Sequence, residues 1–121
     1  MKVALTVWEN RISPLFDSAG TLLVADIEGH GIKNTRLEPF DCKSPFSRAA
    51  RLAELGVDVL ICGGISDFYA NLIEARRIQI VPFATGAADK ILKAFINGHI
   101  YRKDYRMPGC EISKDRDTSA L

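Results

Sequence analysis

The sequence predicts a single α/β domain built on one mixed sheet, and three observations carry that prediction. The stretch up to Leu37 holds three short runs of strand-forming residues, two of them joined by a glycine turn. From Ser44 the period changes, and helix-patterned segments alternate with short, almost wholly apolar runs. The length, 121 residues, is close to the commonest size of one domain and buries a core without disulfides.

Residues 3–8 (Val-Ala-Leu-Thr-Val-Trp) form the first expected strand. A polar loop over residues 9–18 follows, and residues 21–28 make the second strand. Gly29-His30-Gly31 signals a hairpin, because glycine supplies the positive φ of tight turns. Residues 32–37 are then a third strand, polar enough for a sheet edge. Ser44-Pro45 is a helix start, with a capping hydroxyl and a proline at the first helical position. Phe46, Ala49, Ala50 and Ala53 share one face of that helix, and Gly56 stops it. Residues 57–62 are a buried parallel strand, and Gly63-Gly64-Ile65-Ser66 turns into a second helix bearing Tyr69, Leu72 and Ile73. Residues 78–83 make the fifth strand. Thr85-Gly86 opens a third helix, whose stripe is Ala88, Ile91, Leu92 and Phe95 and whose end is Asn97-Gly98. The expected domain is residues 1–100, and residues 101–121 form a C-terminal tail, partly disordered because its end is polar and charged.

With the first strand central, the hairpins and right-handed crossovers give a five-stranded sheet of order 3-2-1-4-5 with three helices. Strands one and four then adjoin where the connections diverge. Open α/β sheets bind ligands beyond the carboxyl ends of strands at such a point.

A formal net charge of +1 argues against a general electrostatic grip on nucleic acid or anionic lipid. The N-terminal run is too quickly polar for a signal peptide, and no apolar run approaches the roughly 20 residues that span a bilayer. The expected address is the cytoplasm. Three cysteines (Cys42, Cys62, Cys110) at wide spacing make neither a disulfide framework nor a zinc knuckle. His30 and His99 sit in no catalytic or metal-binding pattern.

The predicted crevice receives residues 8–11, 62–66 and 84–86. Two helix N-termini point there, offering free N–H groups and partial positive charge to an anion. Arg11 adds a planar fork of donors. Glycine lets a ligand approach the backbone, although glycine pairs after strands also serve as plain turns. Cys62 ends a buried strand and reads as core. Cys110, in the turn Met107-Pro108-Gly109-Cys110, is the candidate ligand for a soft metal. The same strand order occurs in ribonuclease-H-like nucleases, which need acidic metal ligands starting on the first strand. Val3-Ala4-Leu5-Thr6-Val7 carries no carboxylate, so two-metal chemistry lacks its ligands and no enzyme is expected.

Lys2-Val3-Ala4-Leu5-Thr6-Val7, Arg11-Ile12-Ser13-Pro14-Leu15-Phe16-Asp17, Gly56-Val57-Asp58-Val59-Leu60-Ile61-Cys62-Gly63-Gly64-Ile65 and Phe95-Ile96-Asn97-Gly98 together resemble the dinitrogenase iron–molybdenum cofactor-binding family. That family comprises NifX-type nitrogenase accessory proteins and small stand-alone relatives, including the orange protein. The resemblance implies a ribonuclease-H-like fold and a non-catalytic binding or carrier protein for an anionic metal–sulfur cluster or thiometallate. The implied cofactor is a cluster of iron–molybdenum or molybdenum–copper type, and the implied partner a cluster donor or acceptor protein. Its pocket segments map onto Arg11 and Ser13 and onto Gly63, Gly64 and Ile65. Ser66, Thr85 and Gly86 complete the expected site from the crevice argument. The tail keeps only Cys110 of the histidine- and cysteine-rich ends seen in some relatives. The expected state is a monomer or weak homodimer. The alternative is a metal-free partner-binding or regulatory module that presents Ile12, Leu15 and Phe16 as an apolar patch.

Overall fold

A computed structural model describes residues 1–41, 43–100 and 105–107. The opening apolar run forms β1 (Lys2–Trp8), and the glycine turn joins β3 (Thr21–Glu28) to β4 (Gly31–Pro39). After α1 (Pro45–Glu54) the chain alternates through β5 (Val59–Ile61), α2 (Asp67–Glu74), β6 (Gln79–Val81) and α3 (Ala88–Ile96). The sheet order β4-β3-β1-β5-β6 is the order expected for the five main strands. β3 lies antiparallel to both β1 and β4, while β1, β5 and β6 are mutually parallel.

The sheet has six strands rather than five. Arg11–Ile12, expected as loop, forms β2 and folds back antiparallel on β1, pairing Val7 with Ile12 and Trp8 with Arg11. The two turn residues, Glu9 and Asn10, take φ values of 49° and 66°. That left-handed pair suits the twist of a two-residue hairpin, but glutamate carries none of the usual sequence signal for it. Non-glycine residues in this region carry a cost of about 1–2 kcal/mol, which asparagine tolerates best. Glu9→Asn should therefore raise stability by about 0.5 kcal/mol in urea unfolding.

Helix α1 begins as expected. The Ser44 hydroxyl accepts from Ser47 N at 3.1 Å, and Ser47 Oγ accepts in return from Ser44 N at 3.2 Å. Gly56, at φ 74°, ends it. α3 starts later than expected, at Ala88, because Gly86 O accepts from Ile12 N and Ala87 bridges to Arg11, which ties residues 86–87 to β2 rather than to a helical turn. β5 and β6 are shorter than the runs 57–62 and 78–83, and Phe83 leaves the extended region at φ 62°.

The pleat of β1 divides the core. Val3, Leu5 and Val7 pack with Ala88, Ile91, Leu92 and Ala94 of α3. Ala4 faces the other way, among Leu22, Leu60, Cys62, Ala49 and Leu52 of α1, and Ile73 of α2. β4 is the exposed edge. Phe40 N donates to Gly20 O at 2.9 Å, so Glu38 and Arg36 repeat that inward pattern and Pro39 faces outward. Its missing N–H falls on the open edge, where it costs no ladder bond and discourages pairing.

Beyond α3, Tyr105 O accepts from Thr85 N and Met107 N donates to Phe83 O, both at 2.9 Å, so residues 105–107 line up beside 83–85. Cys42, Cys110 and the expected disordered end over 111–121 lie outside the described residues.

Candidate functional site

The switch point between β1 and β5 is filled by the chain itself. β2 and the strap that follows it, residues 13–19, lie over the end of β5. Ser13 N donates to Thr6 O at 2.9 Å, Ile12 N to Gly86 O at 3.0 Å and Phe16 N to Gly64 O at 2.8 Å. Gly64 N returns a bond to Pro14 O at 2.7 Å. A Cβ on Gly63 would overlap the carbonyl oxygens of Ser13 and Pro14, and one on Gly64 would lie 3.2 Å from Leu15 Cδ2. Neither glycine has a positive φ. The close approach that glycine permits here is therefore made by the strap.

The structure brings Arg11, Ser13, Gly63, Gly64, Thr85 and Gly86 to one end of the sheet. Arg11 is exposed, bridging to Ala87, while Ser13 is buried under the strap. Thr85 and Gly86 are half-buried, and their backbones are engaged by Tyr105 and Ile12. Ile65 and Ser66 continue from the glycine pair into α2, where Ser66 Oγ accepts from Tyr69 N at 3.4 Å. Among the described residues, the N–H groups of Gly63, Ile65 and Ser66 make no hydrogen bond. Gly63 is buried, which leaves Ile65 and Ser66 as the donors near the surface.

The two helix starts differ. At α3 the first N–H, Ala88, donates to Asn10 O at 2.8 Å, and Lys90 N donates to the Asp89 carboxylate at 2.9 Å. These donors are spent within the protein. At α2 Ser66 Oγ takes the Tyr69 N–H, but the N–H groups of Ile65 and Ser66 just ahead of the helix stay open among the described residues, although Asp67 in the first turn sets a like charge against any anion.

The sequence model of the family described as dinitrogenase iron-molybdenum cofactor matches residues 1–98. The chain belongs to this family. An uncharacterized protein of Methanocaldococcus jannaschii is 25% identical over 105 residues, covering 83% of this chain and 89% of that protein. Among solved structures, the crystal structure of PH0822 superposes with a TM-score of 0.81 at 19% identity, over 93% of this chain and 98% of that one. The apo form of the orange protein from Desulfovibrio gigas gives 0.71 at 16% identity, over 88% and 95%. At these identities the two structures establish the shared fold.

In this family member the apolar loop residues do not form a common patch. Ile12 and Phe16 are 6% and 0% exposed, and only Leu15, at 57%, faces solvent. The strap covers hydrophobic surface and so buries its own apolar side chains. Phe46, expected on the apolar face of α1 with Ala49, Ala50 and Ala53, is exposed, as is Ala53, because the helix turns Arg48, Ala49 and Leu52 to the sheet; Phe46 instead meets the exposed Phe68 of α2 edge to face at 6.4 Å. Cys62 is buried, as expected, and burial, with Asp17 second, pushes its thiol well up, which keeps it protonated and inert. Among the described residues no group of three or more histidine, cysteine or acidic side chains is placed to hold a metal ion. None of the described helices is long and apolar enough to cross a membrane.

The sequence also left one buried cation unread. Arg48, on α1, is 6% exposed and reaches the carbonyls of Phe16 and Ala19 at 3.1 and 2.9 Å. Its spacing does place it beside Ala49 and Leu52 on the buried face, and an arginine there was the available signal.

Proposed function

We propose that this protein binds an anionic metal–sulfur cluster or thiometallate, without catalysis, at the end of the sheet that carries Arg11, Ile65, Ser66 and Thr85. Membership of the dinitrogenase iron-molybdenum cofactor family carries the reading. The exposed guanidinium of Arg11 and the open N–H groups at the start of α2 supply the chemistry, since both favour negative charge. The cargo arrives with its own sulfur ligands, so hydrogen bonds and charge hold it. Iron–molybdenum and molybdenum–copper clusters are the candidates, Cys110 is the candidate thiolate, and a donor or acceptor protein is the partner for transfer. We place this work in the cytoplasm.

Titration of the apo-protein with tetrathiomolybdate, with and without copper, tests the reading by visible absorption and by retention of metal on gel filtration. A charge-assisted hydrogen bond is worth about 1.5–3 kcal/mol, so Arg11→Ala should weaken binding about tenfold or more. A featureless spectrum with no retained metal would sink the proposal. If Cys110→Ser abolishes binding while Arg11→Ala leaves it intact, the tail holds the cargo instead. The second reading, a metal-free partner module, draws on the exposed Phe46–Phe68 pair. A stoichiometric partner lost on Phe68→Ser, with no thiometallate bound, would favour it.

A further inference from the structure

We propose that Arg48 is the positioning residue of this site: it latches the strap onto the glycine turn and so fixes Arg11 relative to the open N–H groups of α2. The ligand part rests on the function proposed above; the latch itself does not.

A buried guanidinium is costly unless its donors are met by fixed partners. Arg48 forms no ion pair among the described residues. Its Nη1 and Nη2 instead donate to the carbonyls of Phe16 and Ala19, which bracket the short 3-10 turn Phe16–Ser18. Its Cζ lies 4.5 Å from the centroid of the Phe40 ring and 5.6 Å from that of Phe16. The planar group is thus held by two carbonyls and two ring faces. The turn it grips has no side-chain cap of its own. Phe16 N then passes the constraint to Gly64 O, Gly64 N to Pro14 O, and Ile12 N to Gly86 O. One hydrogen-bonded run therefore links α1 to the glycine turn and to β2, which carries Arg11. A lysine reaches one carbonyl at most, and an apolar side chain neither.

The test uses the full chain with Arg48→Met and Arg48→Lys, read by amide hydrogen exchange and by tetrathiomolybdate affinity below each variant's unfolding temperature. Losing the two bonds should speed exchange at Gly64 and Phe16 about tenfold or more in Arg48→Met. Amides of the central strands, such as Val24 and Leu60, should keep their protection, and Arg48→Lys should fall between. Affinity should drop about tenfold in parallel, whereas Arg11→Ala should lower affinity without changing exchange. Exchange that rises equally across the sheet, or that stays at the wild-type rate at Gly64 and Phe16, overturns the latch. Local exchange with unchanged affinity overturns the positioning role. If Arg48→Met does not fold, Arg48→Lys decides by the same readouts. If wild-type protein binds no tetrathiomolybdate, the proposed function and the positioning role fall together, and the exchange data still judge the latch.

Discussion

Gly63→Ala should destabilise the protein by about 3 kcal/mol or more, the upper range for forcing extra volume into a packed site. Most single substitutions cost less, and the reason for the excess lies in what the added methyl would meet. It would overlap the carbonyl oxygens of Ser13 and Pro14, and these are backbone atoms with little room to yield. Both sit in the strap, which is tied on either side by Ser13 N to Thr6 O and Gly64 N to Pro14 O. The methyl therefore either strains the turn or lifts the strap. Gly64→Ala should cost much less, since the neighbour at 3.2 Å is the end of the flexible Leu15 side chain. Urea unfolding of both variants checks the contrast, and equal, small losses would show that the strap is not packed as described.

Phe16→Ala should cost about 3–5 kcal/mol, as expected for a large aromatic removed from a core. Phe16 is fully buried, with Phe40 and Tyr69 edge-on at 5.5 and 5.3 Å. The truncation leaves a cavity beneath the strap and removes one of the two rings beside Arg48. Leu15→Ala, one position away, should change stability by no more than about 0.5 kcal/mol, because its side chain is 57% exposed. Thermal unfolding by circular dichroism separates the two, with melting-temperature shifts of about 10 °C or more against a few degrees at most. The comparison also bears on the strap as a partner surface, since a binding defect in a Phe16 variant would first reflect lost folding.

The strap also shows where local sequence signals end. Ser44-Pro45 and Gly56 announced α1, because capping and left-handed termination are decided within a few residues. The apolar run of residues 57–62 announced a doubly covered strand for the same reason. Glu9-Asn10 announced nothing, because its left-handed turn is held by pairing across β1 and β2. Residues 11–16 alternate polar and apolar side chains without a clear period, and which are buried depends on the sheet beneath them.

By itself, then, the sequence determined the single domain, the order of its main strands, the two ends of α1 and the family. Each follows from periodicity, turn chemistry or a long shared pattern. Only the tertiary structure decided what occupies the switch point. The glycine pair permits a close approach, but backbone permissiveness does not say who approaches. The answer depends on Pro14, Gly64 and Arg48, residues distant in sequence whose hydrogen bonds exist only once the sheet has formed. Across the same end of the sheet, Asn10 O takes the first N–H of α3, while among the described residues the N–H groups of Ile65 and Ser66 ahead of α2 stay open. Charge and helix direction gave both ends equal claim to an anion; long-range pairing separates them.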